Sequence, residues 1–135
     1  MAGDQVSVRG NRPQILVVDD SATARQLVVR FLRENGCWVL EAQDGEQGLL
    51  TARSQTLALI ITDVNMPKKD GIEMIREIRT IPAHLTTPIL ILTTGWGAYE
   101  HNEGKAAGAN AWMMKPFRRD LMSKALQKFG VIPTR

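Results

Sequence analysis

The feature that most constrains the fold is a regular alternation of short apolar runs with helix-like segments. Five runs rich in β-branched and other apolar residues occur along the chain, and most of them are apolar without interruption. Continuous runs of this length are typical of strands buried on both faces of a parallel sheet, because a solvated face would impose alternation. The five predicted strands are residues 15–18, 37–42, 57–62, 88–93 and 111–114.

Helix-like patterns fill the intervals between these runs. The segment 21–35 has an apolar stripe of helical period, with Ser21 or Thr23 available as its N-cap and Gly36 suited to its C′ position. Shorter helices are predicted over 46–54, 71–79 and 118–129. The segment 95–109 is the weakest helix, since it contains four glycines and almost no apolar stripe.

Strands that alternate with helices predict right-handed βαβ units, and therefore an α/β fold with helices on both sides of one parallel sheet. A chain of 135 residues is long enough for one such domain. We place the domain at residues 14–130, after a flexible N-terminal tail (1–13) and before a C-terminal tail (131–135). Repeats and low-complexity segments are absent from the sequence.

Composition argues against several classes of function. No apolar stretch approaches the roughly 18 residues of a membrane-spanning helix, and residues 1–14 lack the apolar core of a secretory signal. The single cysteine, Cys37, cannot form an internal disulfide, which fits a reducing cytoplasm. The net charge of +3 is small, although basic residues outnumber acidic ones seven to three from Ala98 onward. We expect a cytoplasmic monomer with no nucleic-acid or membrane partner.

Polar side chains stand where the predicted strands end. The first strand ends in Asp19 and Asp20, the third ends at Asp63, the fourth ends at Thr93, and Lys115 follows the fifth. Because parallel strands present their carboxyl ends at one edge of a sheet, these side chains are predicted to converge there. Asp19 and Asp20 alone could also be read as a helix N-cap pair.

Three clustered carboxylates repel one another unless a cation lies among them. Oxygen ligands with room for water suit Mg²⁺, and Asn65 can add a backbone carbonyl. A cation and Lys115 beside Asp63 can neutralise a phosphoryl group while the carboxylate attacks it, and the Thr93 hydroxyl can donate to a phosphoryl oxygen. The sequence therefore predicts a magnesium-dependent phosphoryl-accepting site.

Six motifs in order carry a resemblance to a known family. They read LVVDDS, EAQDGEQGL, IITDVNMPKKDGIE, PILILTT, AAGANAW and MMKPF, and they cover nearly the whole chain. On these residues the chain resembles the receiver domain of response regulators, of the stand-alone chemotaxis (CheY-like) type. The resemblance implies a flavodoxin-like, doubly wound, five-stranded parallel sheet of strand order 2-1-3-4-5, with five helices.

The resemblance also implies roles for the acidic residues. Asp63 matches the phosphoaccepting aspartate. Asp20 matches the acid that binds Mg²⁺ directly, and Asp19 matches its partner, which often acts through water. Asn65 matches the residue whose backbone carbonyl binds the metal.

The resemblance implies further roles for Thr93, Lys115 and Trp112. Thr93 matches the hydroxyl that moves toward the phosphoryl group, and Lys115 matches the lysine that pairs with it, with a cis bond to Pro116. Trp112 stands where the family has a switch aromatic, usually Tyr or Phe, so its inward rotation needs more space. Gly95 blocks little, and we expect water and small phosphodonors to have free access.

The implied function is a phosphorylation-dependent switch rather than an enzyme with turnover. A histidine kinase would donate to Asp63 with Mg²⁺, and an output protein would bind the fourth helix, fifth strand and fifth helix. That output protein is a flagellar switch protein in a chemotaxis or motility pathway, or another signalling protein, or there is none if the chain is a phosphate sink. We expect His84 and His101 to be loop or surface residues, and Lys68 and Lys69 to be solvated.

Two other functions use a similar fold or chemistry. A haloacid-dehalogenase-type phosphatase has an aspartate nucleophile, but it normally shows Asp-x-Asp after the first strand, where this chain has Asp19 next to Asp20. A flavin-binding module needs a Ser/Thr/Gly-rich phosphate loop there, and the two acids would repel a phosphate without a metal. Turnover of a generic phosphate ester would reveal the phosphatase, and a yellow colour would reveal the flavin-binding module.

Overall fold

One twisted sheet organises the molecule. The computed structural model describes residues 8–95 and 97–134. The strands of this part of the chain are β1 (Val8–Arg9), β2 (Arg12–Val18), β3 (Trp38–Ala42), β4 (Leu59–Thr62), β5 (Ile89–Thr93) and β6 (Ala111–Met114). Strands β2 to β6 are parallel and lie in the order β3-β2-β4-β5-β6, so the predicted order 2-1-3-4-5 is confirmed.

As predicted, four α-helices connect successive parallel strands and a fifth follows the last strand, which makes five in the part of the chain that the structure describes. They are α1 (Ala22–Glu34), α2 (Gly45–Ser54), α3 (Gly71–Ile78), α4 (Ala98–Ala107) and α5 (Arg119–Lys128), with a short 3₁₀ helix at Pro82–His84. Ser21 is the N-cap of α1, since its Oγ accepts from the Ala24 amide at 3.2 Å. Gly36 ends that helix with a φ of 83°, which favours glycine. In the described part of the chain, none of the helices has the length and apolar character that crossing a bilayer requires.

The core consists of two apolar layers, one on each face of the sheet. Successive residues of β2 point to opposite faces, so Ile15 and Val17 join one layer while Leu16 and Val18 join the other. The first layer contains α1 and α5, including Phe31 and Leu126. The second contains α2, α3 and the end of α4. This double coverage explains why the strand sequences are apolar without alternation.

Both ends of the domain extend further than predicted. Strand β1 pairs antiparallel with the start of β2, with Arg9 opposite Arg12, so residues 8–13 form a hairpin rather than a tail. Its turn is Gly10-Asn11, a pair typical of two-residue hairpins, and Gly10 has a φ of 62°. Residues 1–7 lie outside the described residues. At the other end, Val131 is buried in the layer of α1 and α5.

Two further predictions about polar residues are wrong. His84 is fully buried, and its Nε2 lies 2.8 Å from the Ala52 carbonyl oxygen and 2.9 Å from that of Gln55, tying the end of α2 to the 3₁₀ helix. Lys69 is largely covered and pairs with Glu77, a hydrogen bond that raises the pKa of Lys69 above its ordinary value. His101 and Lys68 are exposed, as expected.

Candidate functional site

Three carboxylates meet at the carboxyl edge of the sheet. Asp19 and Asp20 follow β2 and Asp63 follows β4, and these neighbouring strands end in register, with Val18 opposite Thr62. One oxygen from each carboxylate lies within 4.8 Å of the others. Asp19 and Asp63 are buried, whereas Asp20 is exposed. The predicted convergence of the three acids is thus present.

Lys115 bridges the two buried acids. Its Nζ lies 2.7 Å from Asp19 Oδ2 and 2.7 Å from Asp63 Oδ2. Burial lowers the pKa of this lysine, but hydrogen bonds and Coulombic attraction to the two acids outweigh it, so its pKa is raised and the ammonium stays charged. Its backbone amide donates to the Thr93 carbonyl at 2.9 Å, and the bond to Pro116 is cis, as predicted.

Backbone contacts fix the Asp63 carboxylate. The Val64 amide donates to Asp63 Oδ1 at 2.6 Å, and the Asp63 amide donates to the Val18 carbonyl at 3.0 Å. Gly71 packs so closely against the Asp63 carbonyl that an added Cβ would lie 2.0 Å from its oxygen. The loop after Asp63 is therefore held close, and Oδ2 is the oxygen that faces Lys115.

The remaining predicted ligands lie on the two adjoining loops. Asp19 Oδ1 accepts from the Ser21 amide at 3.0 Å, which fixes the turn that also carries Asp20. Asn65 is exposed in the loop after Val64, at the same edge of the sheet. Three acids and one lysine leave a formal excess of two negative charges. Hard oxygen donors with such an excess fit a small divalent cation such as Mg²⁺.

The predicted switch residues enclose a small cavity. Thr93 is buried, and its hydroxyl donates to the Thr94 carbonyl at 3.3 Å. A cavity of about 90 Å³ is lined by Thr93, Trp112, Met113 and Met114. The half-buried Trp112 ring meets the His101 ring edge to face, with centroids 4.1 Å apart and planes at 76°. Thr93 and Trp112 thus line the same cavity.

A larger, mostly apolar groove opens beside Lys115. Its volume is about 500 Å³, and it runs between α1 and the segment 115–119. Leu27, Phe31 and Phe117 are among its apolar walls, and Arg30 and Arg119 add positive charge. Arg119 also lies over the Phe31 ring, 4.8 Å from its centroid.

Sequence reasoning missed a contact behind the acids. Arg25 Nη1 donates to the Asp19 carbonyl at 2.6 Å, and Arg25 Nε donates to Glu41 Oε1 at 2.8 Å. The side chain comes from the first turns of α1, and Glu41 lies on β3. No local pattern links residues from separate elements in this way, so only the assembled fold reveals the contact.

Comparison with known proteins identifies the family. Residues 15–127 match the model of the response regulator receiver domain, so the chain belongs to that family. It is 35% identical over 121 residues to the probable chemotaxis protein CheY of Rhizobium etli, covering 88% of this chain and 94% of the relative. Other relatives are much longer. The chain is 38% identical over 104 residues to the gliding motility regulatory protein of Myxococcus xanthus, covering 77% of this chain but only 13% of that protein.

Solved structures agree with the family. The chemotaxis protein CheY4 of Vibrio cholerae superposes with a TM-score of 0.83 at 39% identity, covering 87% of this chain and 98% of that chain. The receiver domain of the sensor histidine kinase PA1611 of Pseudomonas aeruginosa has a TM-score of 0.80 at 30% identity, covering 86% and 95%. That structure holds a magnesium ion in its active-site cleft.

Proposed function

We propose that this chain is a two-component response regulator in which Asp63 accepts a phosphoryl group from a kinase phosphohistidine, with Mg²⁺ required. The observation that carries the proposal is the Asp63 carboxylate, which is buried, fixed through Oδ1 by the Val64 amide, and paired through Oδ2 with Lys115. Pairing of a carboxylate with a lysine inside an acidic cluster is costly as a purely structural device. In a receiver domain, this arrangement would serve to accept and hold a phosphoryl group.

The proposed reaction is one phosphoryl transfer. A carboxylate oxygen of Asp63 attacks the phosphorus, the bond to the imidazole nitrogen breaks, and the imidazole leaves with the electron pair and takes up a proton. The Lys115 ammonium then pairs with a phosphoryl oxygen. Asp19, Asp20, Asp63 and the Asn65 carbonyl would hold Mg²⁺, which when bound neutralises charge on the phosphoryl oxygens.

The donor would dock on the groove beside Lys115. Apolar walls and an opening next to Lys115, which pairs with Asp63, suit a helical domain that presents a phosphohistidine. Arg30 and Arg119 at this groove would attract an acidic surface of the donor.

Switching would pass from Asp63 to Trp112 through Thr93. The Thr93 hydroxyl turns from the Thr94 carbonyl toward the phosphoryl group, which changes the cavity that Thr93 shares with Trp112. The populations of two arrangements of α4, β6 and α5 then shift. A groove of about 400 Å³ on this face is lined by Leu121 and Ala125 as well as Trp112, and it would receive the output partner.

Intact mass after incubation with acetyl phosphate tests the phosphoacceptor. We expect a gain of one phosphoryl group that requires Mg²⁺ and is absent in Asp63→Asn. Asp70→Asn is the matched control, because Asp70 is an exposed N-cap of α3 whose capping role asparagine preserves. Equal labelling of Asp63→Asn and the native protein would refute the assignment.

The proposed pathway is chemotaxis or motility signalling, with a flagellar switch protein as output. Support comes from the chemotaxis relatives, whose length the chain nearly spans. Titration of Trp fluorescence with a flagellar switch protein, with and without phosphodonor, tests this. Tighter binding of the phosphorylated form is expected, whereas equal or absent binding would favour a phosphate sink.

A further inference from the structure

We propose that Arg25 is a positioning residue for the metal-binding turn, because it holds the peptide between Asp19 and Asp20 so that Asp20 faces the cation. The inference rests on the Mg²⁺ site of the proposed function and extends it to a residue outside the acidic cluster. Arg25 contacts the turn through the Asp19 carbonyl, with Nη1 to O at 2.6 Å.

Asp20 depends on its backbone for its position. Its side chain is exposed, unlike those of Asp19 and Asp63, which Lys115 holds. The turn around Asp20 is fixed at three points. The Asp19 amide donates to the Ala42 carbonyl at 3.1 Å, the Ser21 amide donates to Asp19 Oδ1 at 3.0 Å, and Arg25 binds the Asp19 carbonyl. Of these three contacts, the one from Arg25 acts directly on the peptide that joins the two acids.

Arg25 is itself held rigidly. Its Nε donates to Glu41 Oε1 at 2.8 Å, and Gln26 Nε2 donates to the same oxygen at 2.7 Å. The side chain is only 13% exposed. A planar guanidinium with one edge on Glu41 and another on Asp19 has a single orientation, which a flexible ammonium cannot reproduce. Arg25 therefore links the carboxyl end of β2 to β3 through α1.

Arg33 provides a matched comparison on the same helix. It approaches the other oxygen of Glu41 at 3.9 Å, and its side chain is mostly exposed. It lies eight residues further along α1, about 12 Å from the position of Arg25. Removing Arg33 thus takes one positive charge from α1 and from Glu41 without touching the Asp19 carbonyl.

A titration with MgCl₂ tests the inference, with heteronuclear NMR following the amide of Val64, which donates to Asp63. We expect Arg25→Ala to raise the Mg²⁺ Kd about tenfold, the scale for residues that orient ligands. Arg25→Lys keeps the charge but cannot span Glu41 and Asp19, so its affinity should stay well below the native value. Arg33→Ala should bind as the native protein does.

Urea unfolding without Mg²⁺ separates positioning from a merely structural role. A lower stability of Arg25→Ala with an unchanged Kd would overturn the inference, and so would full rescue by Arg25→Lys. If Arg25→Ala fails to fold, Glu41→Gln takes its place, and an unchanged Kd there overturns the inference. Absent Mg²⁺ binding by the native protein would instead refute the proposed function, and the inference with it.

Discussion

Helices α1 and α4 occupy similar places in the topology but are stabilised very differently. Each follows a strand whose end carries candidate site residues, Asp19 and Asp20 before α1 and Thr93 before α4. The N-cap of α1 is a serine side chain, and the helix buries four large apolar residues, Val28, Val29, Phe31 and Leu32. The N-cap of α4 is Gly97, which has no side chain to accept from the helix, and the buried residues described on α4 are Gly104 and Ala107.

The difference separates a rigid half of the site from an adaptable half. Acids that hold a cation must keep their geometry, and the end of β2 is anchored by a well-packed helix. A switch must instead have two arrangements within a few kcal/mol of each other, which a helix with little buried area allows. The contrast predicts that substitutions on α1 act on global stability, whereas those on α4 act on local opening.

The largest expected effect comes from truncating a buried apolar side chain of α1. Leu32 is fully buried between α1 and the sheet, so Leu32→Ala leaves a cavity and should lower the free energy of unfolding by about 3 kcal/mol. Urea denaturation measures the change. Leu27→Ala on the same helix is the control, because Leu27 is 52% exposed, and it should cost well under 1 kcal/mol. An equal loss of unfolding free energy in the two variants would show that the buried face of α1 does not stabilise the end of β2.

A second, smaller effect concerns pH at the end of α1. Cys37 is buried there, and burial raises the pKa of its thiol from 9.0 to about 11. As pH rises from 9.0 to about 11, the unfolded chain releases the thiol proton while the folded chain retains it. The free energy of unfolding should therefore fall over this range, by roughly 2 kcal/mol from this group.

Comparison with Cys37→Ala isolates that contribution in urea denaturation across the same pH range. The raised pKa of Lys115 acts in the same direction at higher pH, because the unfolded lysine loses its proton first, and this contribution is common to both proteins. The variant should show a shallower alkaline decline. Parallel pH profiles of the two proteins would mean that the Cys37 thiol does not contribute to it.

Most of the fold and the candidate site could be predicted because local sequence patterns indicate both. Strands buried on both faces give apolar runs, and the acids and Lys115 stand at the ends of those runs. The hairpin at residues 8–13 was missed because its strand β1 has two residues, too few for periodicity. Arg25 with Glu41, and His84 with Ala52, are contacts between separate elements, which hydrophobic patterns do not encode.

The smallest expected effect concerns α4, and it tests the difference in stability between α1 and α4 most directly. Asn102 is exposed in the middle of this helix, and alanine has a higher helix propensity than asparagine by about 0.5 kcal/mol. Asn102→Ala should therefore slow amide hydrogen exchange in α4 about twofold and leave exchange in α1 unchanged. Asn102→Gly is the reverse control and should speed exchange in α4.

The pattern of protection decides whether the two halves are independent. If α4 opens on its own, the gain from Asn102→Ala stays within α4, and the urea midpoint of the whole domain moves little. If the amides of α1 and α4 gain protection together, the two helices unfold as one unit, and the division into a rigid and an adaptable half is wrong. Because a switch needs two arrangements of similar free energy, a more stable α4 should also reduce the response of Trp112 fluorescence to a phosphodonor.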